Sequence, residues 1–386
     1  MREEVLHFIW RYRHFHQQGL VTEDGRPLQI EFPGEPNTDQ GPDLRKARIR
    51  IGDVRFEGPV ELHVRASDWL RHGHAGDPRY QQVILHVVWD NDRDRAAGDI
   101  PVLVLATRVS KILLSRYEHW MRQPVFVPCE RQLPNVDAGI RGEWIRALVL
   151  RRLQRRAALV RERLEQSRQD WEETTWWMLA RSMGLPVNAA VFEAVARSLP
   201  LRLLRRHRCY PSTVETLLLG QAGLLAGEGA VREYLFWQGK YGLNPVREPV
   251  SFLRMRPGHF PAVRLSQLAG LLTSGGGWFS LIRDADAAEP VMKALGGIKG
   301  LGRDMQRGIL INAFVPLLFT YGQGEKALHW LGQLPAERNG LLRGWAGLGV
   351  QAGNAADSQG LLELRKEYCD ARRCLDCAIG RACLNG

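Results

Sequence analysis

The chain has 386 residues, enough for roughly two or three domains with buried cores. Its 45% hydrophobic and 25% charged residues are typical of a globular protein and exclude a disordered chain, a collagen-like chain and a small disulfide-stapled domain. The net charge of +11 at pH 7 favours a polyanionic partner, with nucleic acid a better candidate than a membrane surface.

The sequence predicts neither a membrane span nor a secretory leader. No segment reaches the roughly 18 apolar residues that a membrane-spanning helix needs, and the run 83–89 has only the length of a strand. The first eleven residues mix charged and apolar side chains and lack a small-residue cleavage site. These features predict a cytoplasmic protein, and they leave its oligomeric state open.

Residues 1–123 are predicted to form a small α/β or α+β domain. Apolar spacing predicts an opening helix over 2–18, ended by Gly19, and a closing helix over 109–122. A short helix or loop is expected over 67–82, and the strand 83–89, apolar on both faces, is expected to be central in the sheet. The strands are predicted at 28–32, 47–51, 54–56, 60–64, 83–89 and 100–106.

The remainder of the chain is predicted to be helical. Prolines make 124–136 a linker, and helical periodicity then runs over 137–365, where Pro and Gly clusters divide it into eight to ten helices. A cysteine-rich tail follows over 366–386. The predicted fold class is therefore α+β, with a small sheet domain followed by a larger all-α domain.

Two acidic residues and a histidine form the first candidate site. Asp43 precedes a predicted strand, and Glu61 and His63 alternate onto one face of another. Two carboxylates on adjacent strands can hold Mg²⁺ or Mn²⁺ against a phosphodiester and activate a water molecule. We therefore expect Asp43 and Glu61 to bind the metal and His63 to act as a base or ligand.

This pattern resembles the PD-(D/E)XK nuclease superfamily, whose core has the order αβββαβ. Asp43 matches its aspartate and Glu61 its acidic metal ligand, whereas His63 stands where the superfamily usually has lysine. The resemblance implies a metal-dependent nuclease in which Lys46 or Arg65 supplies the missing cation. Glu31 is a further candidate acidic ligand.

Two other interpretations of this region remain open. His72, His74 and Asp77, with His86 and Asp90 around the next strand, could bind zinc or another transition metal, which would favour a metallohydrolase of small molecules. Alternatively, a Gly-Pro-Asp turn followed by an amphipathic strand needs no metal at all, and the protein is then a non-catalytic nucleic-acid-binding or scaffold protein.

Four cysteines close the chain with the spacing C-x4-C-x2-C-x5-C. Cys369, Cys374, Cys377 and Cys383 can surround one metal centre, either a [4Fe–4S] cluster or Zn²⁺. The C-x2-C-x5-C part resembles the cluster loop of the endonuclease III and adenine glycosylase family, and this favours iron–sulfur slightly over zinc. Cys129 and Cys209 stand apart in the sequence and are predicted to have no metal role.

A basic stripe is predicted on the first helix of the helical domain. Eight arginines lie between positions 141 and 163, and helical spacing brings several of them onto one face. Arg152, Arg155 and Arg156 are the candidates for contacts with a phosphate backbone. The alternative is an ordinary solvated helix face.

The chain as a whole resembles an uncharacterised bacterial family catalogued as domain of unknown function 2851. That resemblance implies no established activity, so the functional hypotheses depend on the candidate sites. The residues that carry it are 37–43, 60–63 with 67–69, 83–88, 256–261 with 264–265, 310–312 and 374–380.

Overall fold

A computed structural model of the chain describes residues 1–37, 40–92, 100–252, 260–275 and 277–385. Parts of two family motifs, residues 38–39 and 256–259, therefore lie outside the described residues.

The chain divides into two compact units. The first consists of Met1–Val136 together with Tyr368–Gly386, and the second is Asp137–Glu367. The cysteine tail thus belongs to the unit that contains the sheet. Within the described residues, no helix combines the length and the apolar character needed to cross a bilayer.

The first unit is built on a six-stranded sheet. Its order is β1-β3-β4-β5-β6, with β2 paired to β3. The strands β1, β2 and β4 each pair with β3 in antiparallel orientation. The pairs β4–β5 and β5–β6 are parallel. This sheet and the larger helical unit confirm the α+β fold class. The strands are β1 Leu28–Phe32, β2 Glu35–Pro36, β3 Leu44–Ile51, β4 Val54–Arg65, β5 Leu85–Asp90 and β6 Val102–Val104.

Short helices complete this unit. The first helix, Glu3–Arg11, packs against β4 through a face whose Leu6, Ile9 and Trp10 are fully buried. The helices are α1 Glu3–Arg11, α2 Asp68–Arg71, α3 Lys111–Arg122 and, at the end of the chain, α18 Ala378–Asn385, with 3₁₀ turns at His74–Gly76, Pro78–Tyr80 and Leu133–Asn135.

Two predicted boundaries are wrong. The opening helix ends at Arg11 rather than near Gly19, because Arg13 adopts a left-handed backbone and the chain turns so that Phe15 stacks on Trp10. The strands predicted at 54–56 and 60–64 are one strand, β4. β4 runs through Gly58, where the absence of a Cβ lets the strand pass close to Ile84, since a Cβ there would lie 2.6 Å from Ile84 Cγ2.

The second unit is helical. Its core buries large side chains such as Trp176, Phe192, Phe314 and Trp330. It has more described helices than the eight to ten predicted, because several are only two turns long. They are α4 Ala138–Gln166, α5 Trp171–Met183, α6 Ala189–Ser198, α7 Leu201–Arg206, α8 Pro211–Gln221, α9 Glu228–Tyr241, α10 Pro261–Thr273, α11 Trp278–Asp284, α12 Ala288–Gly296, α13 Arg303–Ile309, α14 Val315–Tyr321, α15 Gly324–Gln333, α16 Gly340–Gly347 and α17 Ala355–Glu363, with π-helical segments at Leu310–Phe314 and Leu364–Cys369.

A glycine sets how closely α17 approaches α4. A Cβ at Gly360 would lie 2.6 Å from the Ile145 carbonyl oxygen. We expect Gly360→Ala to lower the free energy of unfolding by about 2–3 kcal/mol, because backbone atoms must move apart. In α15, Gly332 has open space around it, so Gly332→Ala is the matched control and should gain about 0.5–1 kcal/mol. Urea unfolding measures both, and equal midpoints for the two variants would contradict this packing.

Candidate metal centre

Two carboxylates converge where β3 begins beside the middle of β4. The backbone N–H of Asp43 donates to Glu61 Oε2 over 2.9 Å, and the backbone N–H of Leu62 donates to Asp43 Oδ2 over 3.0 Å. These reciprocal hydrogen bonds hold both side chains in place. Glu61 is buried, whereas the Asp43 side chain keeps 24% of its surface exposed. The structure therefore brings together the two acidic residues that the sequence singled out.

Three histidines gather beside Glu61. His63 lies two residues further along β4, while His72 follows α2 and His74 begins the next 3₁₀ turn. Their metal-binding nitrogen atoms lie within 4.8 Å of one another. His72 Nδ1 is 3.2 Å from His63 Nε2, and Glu61 Oε1 is 3.6 Å from His63 Nε2 and 3.3 Å from His74 Nε2. The histidines that appeared to be a competing site are thus part of the same one.

These separations fit a small metal ion. A tetrahedral ion with bonds of about 2.1 Å to nitrogen or oxygen keeps neighbouring ligand atoms about 3.4 Å apart. The distances of His72 from His63 and of Glu61 from His63 and His74, which are 3.2, 3.6 and 3.3 Å, scatter around that value. Three imidazoles and one carboxylate are the donor set of zinc or a first-row transition metal, whereas Mg²⁺ prefers oxygen ligands.

The protonation states depend on burial. Burial, with the neighbouring histidines adding to it, lowers the pKa of His63 to about 3, so its ring is neutral at physiological pH. Burial and the nearby Asp43 raise the pKa of Glu61 to about 8. In the metal-free protein Glu61 therefore keeps its proton near neutral pH, and a bound cation would displace it.

A second set of contacts orients the ligands. His63 Nδ1 is 2.9 Å from His86 Nε2 on β5, where His86 lies opposite Glu61. A ring nitrogen held this way fixes the tautomer of a metal-binding histidine. At His74, the Tyr80 ring stacks on the imidazole with 3.8 Å between centroids, and the Trp69 ring packs edge-on to the same imidazole. His86 thus holds the His63 ring in its orientation, and the rings of Tyr80 and Trp69 line the site.

A neighbouring group continues the site toward α1. Glu3, His7 and Asp43 have ligand atoms within 4.8 Å of one another, and His7 Nε2 is 3.4 Å from Asp43 Oδ2. The sequence analysis predicted neither Glu3 nor His7 as a site residue. Their separation of four positions, which places them on one face of a helix, is a signal that could have found them.

A pocket of about 550 Å³ opens next to this second group. Glu3 and His7 form part of its wall. Four arginines contribute positive charge to the same lining: Arg2, Arg11, Arg372 and Arg373. Glu4 and Asp376 also belong to the lining, so the pocket beside the second group has walls of mixed charge.

Several predicted residues lie away from this centre or take part in other contacts. Lys46 Nζ is 3.4 Å from Glu35, and Glu31 binds Arg55 over 2.7 Å. At the end of β4, Arg65 pairs across the sheet with Asp90, and its backbone N–H donates to Asp68. Asp77 caps the turn that follows His74 by accepting hydrogen bonds from Arg79.

The three arginines predicted to contact phosphate have partners inside the helical unit. Arg152 and Arg155 both bind the buried carboxylate of Glu363, over 3.0 and 2.6 Å. Arg156 donates to the carbonyl of Ile311 over 3.1 Å. These contacts link α4 to α17 and to the segment Leu310–Phe314, and contact of the three arginines with phosphate stays a prediction.

The four cysteines of the tail are all buried. Two arginines fasten the tail to the rest of its unit. Arg116 on α3 donates to the carbonyl of Cys383 over 3.0 Å, and Arg372 donates to the carbonyls of Trp120 and Gln123 over 3.0 and 2.6 Å.

Stability at alkaline pH should report on Glu61. Because its pKa is raised from 4.5 to about 8 in the folded protein, the metal-free protein loses stability as pH rises across that interval. A difference of one in pKa corresponds to about 1.4 kcal/mol, so we expect Glu61→Gln to stabilise the metal-free protein by roughly 2–4 kcal/mol at pH 9 and by little at pH 5. Denaturant unfolding in chelator at both pH values measures this. Glu57→Gln, at an exposed position of β4, is the control, and parallel pH dependence of both variants and the wild type would contradict the assignment.

Comparison with known proteins identifies the family. No curated protein and no solved structure matches the chain. The family model described as "Protein of unknown function (DUF2851)" matches residues 3–298, which include every histidine and carboxylate of the metal centre. The motifs at 310–312 and 374–380 lie beyond the matched residues. Since the match covers more than half of the chain, this protein belongs to the DUF2851 family.

Proposed function

We propose that the sheet unit is a metal-dependent phosphodiester hydrolase that acts on nucleic acid. His63, His72, His74 and Glu61 would hold a transition-metal dication, and Asp43 with His7 would serve the reaction beside it. The observation that carries the proposal is the set of donor-atom separations of 3.2–3.6 Å around Glu61 and the three histidines.

The residues divide the chemistry between them. A dication bound to imidazoles lowers the pKa of a coordinated water molecule and polarises a phosphoryl oxygen. Asp43 orients the His7 ring from 3.4 Å, so that His7 can take up or release a proton at the wall of the pocket. Glu3 lies 3.9 Å from His7, and burial and the nearby Asp43 raise the pKa of its carboxyl above the ordinary value, which makes it a second candidate for proton transfer.

The charge of the pocket supports a polyanionic substrate. Arg2 and Arg11 line it together with Glu3 and His7 of α1, Arg373 of the same lining lies 3.1 Å from Asp376, and the whole chain carries a net charge of +11. Guanidinium groups bind phosphate oxygens in bidentate fashion. A nucleic-acid phosphate seated in this pocket would lie beside Glu3 and His7, whose ligand atoms lie within 4.8 Å of Asp43.

Metal binding by the histidines is directly testable. We expect one tightly bound Zn²⁺ or Mn²⁺ at this site, with His72→Ala weakening its affinity at least about 10-fold, because one ligand is lost. Calorimetric titration of the full chain at pH 7.5 measures the affinity. His119→Ala, at an exposed position on α3, is the matched control. Equal affinity in both variants would rule out His72 as a ligand.

Cleavage of labelled single- and double-stranded DNA and RNA tests the activity. With Mn²⁺ or Zn²⁺ we expect cleavage by the wild type and by His119→Ala, and a loss of roughly 100-fold or more in Asp43→Asn and His63→Ala, because each removes a reacting or ligating group. Equal cleavage by all variants would indicate a contaminating nuclease and remove the proposal. Binding of nucleic acid without cleavage in any metal would favour the non-catalytic alternative.

The three converging histidines also favour a second candidate, hydrolysis of a small molecule. The donor set is that of zinc hydrolases, and a pocket of about 550 Å³ has the size of a small-ligand site. Turnover of bis(p-nitrophenyl) phosphate without cleavage of any nucleic acid would select this candidate.

A further inference from the structure

A cavity of about 560 Å³ lies on the helical unit, between α7 and the end of α9. Arg202 and Arg206 of α7 line it, one helical turn apart, together with Tyr241 and Asn244 from the end of α9 and the residues after it. Both arginines are exposed, and the described residues that line the cavity include no carboxylate. The formal charge of its wall is therefore only positive.

These two arginines differ from those of α4 that form ion pairs. Arg152 and Arg155 share the buried carboxylate of Glu363. Within the described part of the chain, by contrast, no carboxylate lies within ion-pair distance of Arg202 or Arg206. Their guanidinium groups are therefore open to an external anion, and a guanidinium binds phosphate oxygens in bidentate fashion.

Tyr241 joins the cavity to a cluster of aromatic rings on α9. The Trp237 ring stacks on the Tyr241 ring with 5.6 Å between centroids, and the Phe236 ring packs edge-on to Trp237 at 4.8 Å. Lys240 Nζ lies 4.9 Å from the Trp237 centroid and 5.7 Å from the Phe236 centroid. His207, which follows α7, has its Nε2 2.8 Å from the Tyr241 hydroxyl. A third cation and three rings are thus continuous with the edge of the cavity.

The helix α9 leaves much of this surface open to solvent. Of its fourteen residues, only Tyr234 is buried. Phe236 is 60% exposed and Leu235 57% exposed, and Lys240 is exposed as well. An exposed aromatic ring next to cations is the arrangement on which a nucleic-acid base can stack while its phosphates are neutralised.

The carboxylate nearest in sequence to Phe236 is turned away from this surface. Glu233 Oε1 accepts hydrogen bonds from Thr213 Oγ1 over 3.0 Å and from Trp237 Nε1 over 3.3 Å, and its Oε2 accepts one from Thr216 Oγ1 over 3.3 Å. Both threonines belong to α8. The charge of Glu233 therefore faces α8 and is satisfied there, whereas the Phe236 ring stays exposed.

We propose that the surface formed by Arg202, Arg206, Phe236, Lys240 and Tyr241 binds single-stranded nucleic acid. The arginines hold phosphate oxygens at the cavity, and Phe236 stacks on a base beside it. A single strand fits this surface better than a duplex does, because the bases of a duplex stack on one another and offer no free face to an aromatic ring. The inference concerns binding by the helical unit and does not depend on the proposed hydrolysis.

Fluorescence anisotropy of labelled strands titrated with the full chain tests this surface. The titration is done in chelator, so that metal-dependent cleavage does not occur, and it compares an oligothymidylate with a duplex of the same length. We expect the double variant Arg202→Gln/Arg206→Gln to bind the single strand at least about 10-fold more weakly, and the slope of log affinity against log salt to fall by about 0.7 for each lost phosphate contact. Lys293→Gln/Arg343→Gln removes the same charge from exposed positions of the same unit and should bind like the wild type.

The stacking contact has a variant of its own. Phe236→Ala should weaken binding of the single strand about 10-fold and change binding of the duplex by less than about twofold, because only the single strand offers an unstacked base. Leu235→Ala removes a neighbouring exposed apolar side chain and is the matched control. Because all of the substituted side chains are exposed, each variant should keep the unfolding midpoint of the wild type.

Several outcomes would overturn the proposal. One is equal affinity of the wild type and the double arginine variant for the single strand, and another is tighter binding of the duplex than of the single strand. Equal weakening by Phe236→Ala and Leu235→Ala would contradict stacking on a base. Vesicles containing phosphatidylserine and soluble polyglutamate are the competing polyanions, and binding of either one without binding of the oligothymidylate would show that the partner is not nucleic acid. Binding of the single strand by a wild type that cleaves nothing would remove the proposed hydrolysis and support this surface.

Discussion

The buried carboxyl of Glu61 is the group on which the sheet unit's candidate chemistry depends. One of its oxygens accepts the N–H of Asp43, and the other faces His63 and His74. Burial disfavours the ionised carboxylate, and the nearby Asp43 charge disfavours it further. A bound cation would resolve this conflict, because it would stabilise the carboxylate and take the neutral imidazoles as ligands. This conflict is the electrostatic reason for proposing a metal ion beside Glu61.

The parallel pairing of β4 and β5 supplies the support for this arrangement. It sets His86 opposite Glu61, and His86 Nε2 then lies 2.9 Å from His63 Nδ1. The connection between these strands contains α2 and the two 3₁₀ turns. His72 follows α2 in this connection, and His74 begins the first 3₁₀ turn. A crossover connection must be long enough to return the chain to the same edge of the sheet. Here the same connection also contains His72 and His74.

The same unit combines two kinds of donor chemistry. Imidazole and carboxylate side chains gather in two groups, His63 with His72 and His74, and Asp43 with Glu3 and His7, whereas Cys129 and the four cysteines of the tail are buried thiols. Of the first kind, Glu3 and His7 line a pocket that also has arginines in its wall. The arginines of α4, in contrast, neutralise Glu363 and bind a backbone carbonyl inside the helical unit. Net positive charge on its own therefore does not identify which surface would meet a polyanion.

By itself the sequence determined the α+β class, a first part with strands and a helical second part, and it singled out Asp43, Glu61 and His63 as candidates, because alternation and helical periodicity are local properties of the chain. It also indicated His72 and His74, but as a competing site. Only the tertiary structure decided that these histidines join Glu61 and that Glu3 and His7 reach Asp43. Contacts between residues distant along the chain depend on how strands pair and on which faces pack together, and a single sequence does not encode these in any local pattern.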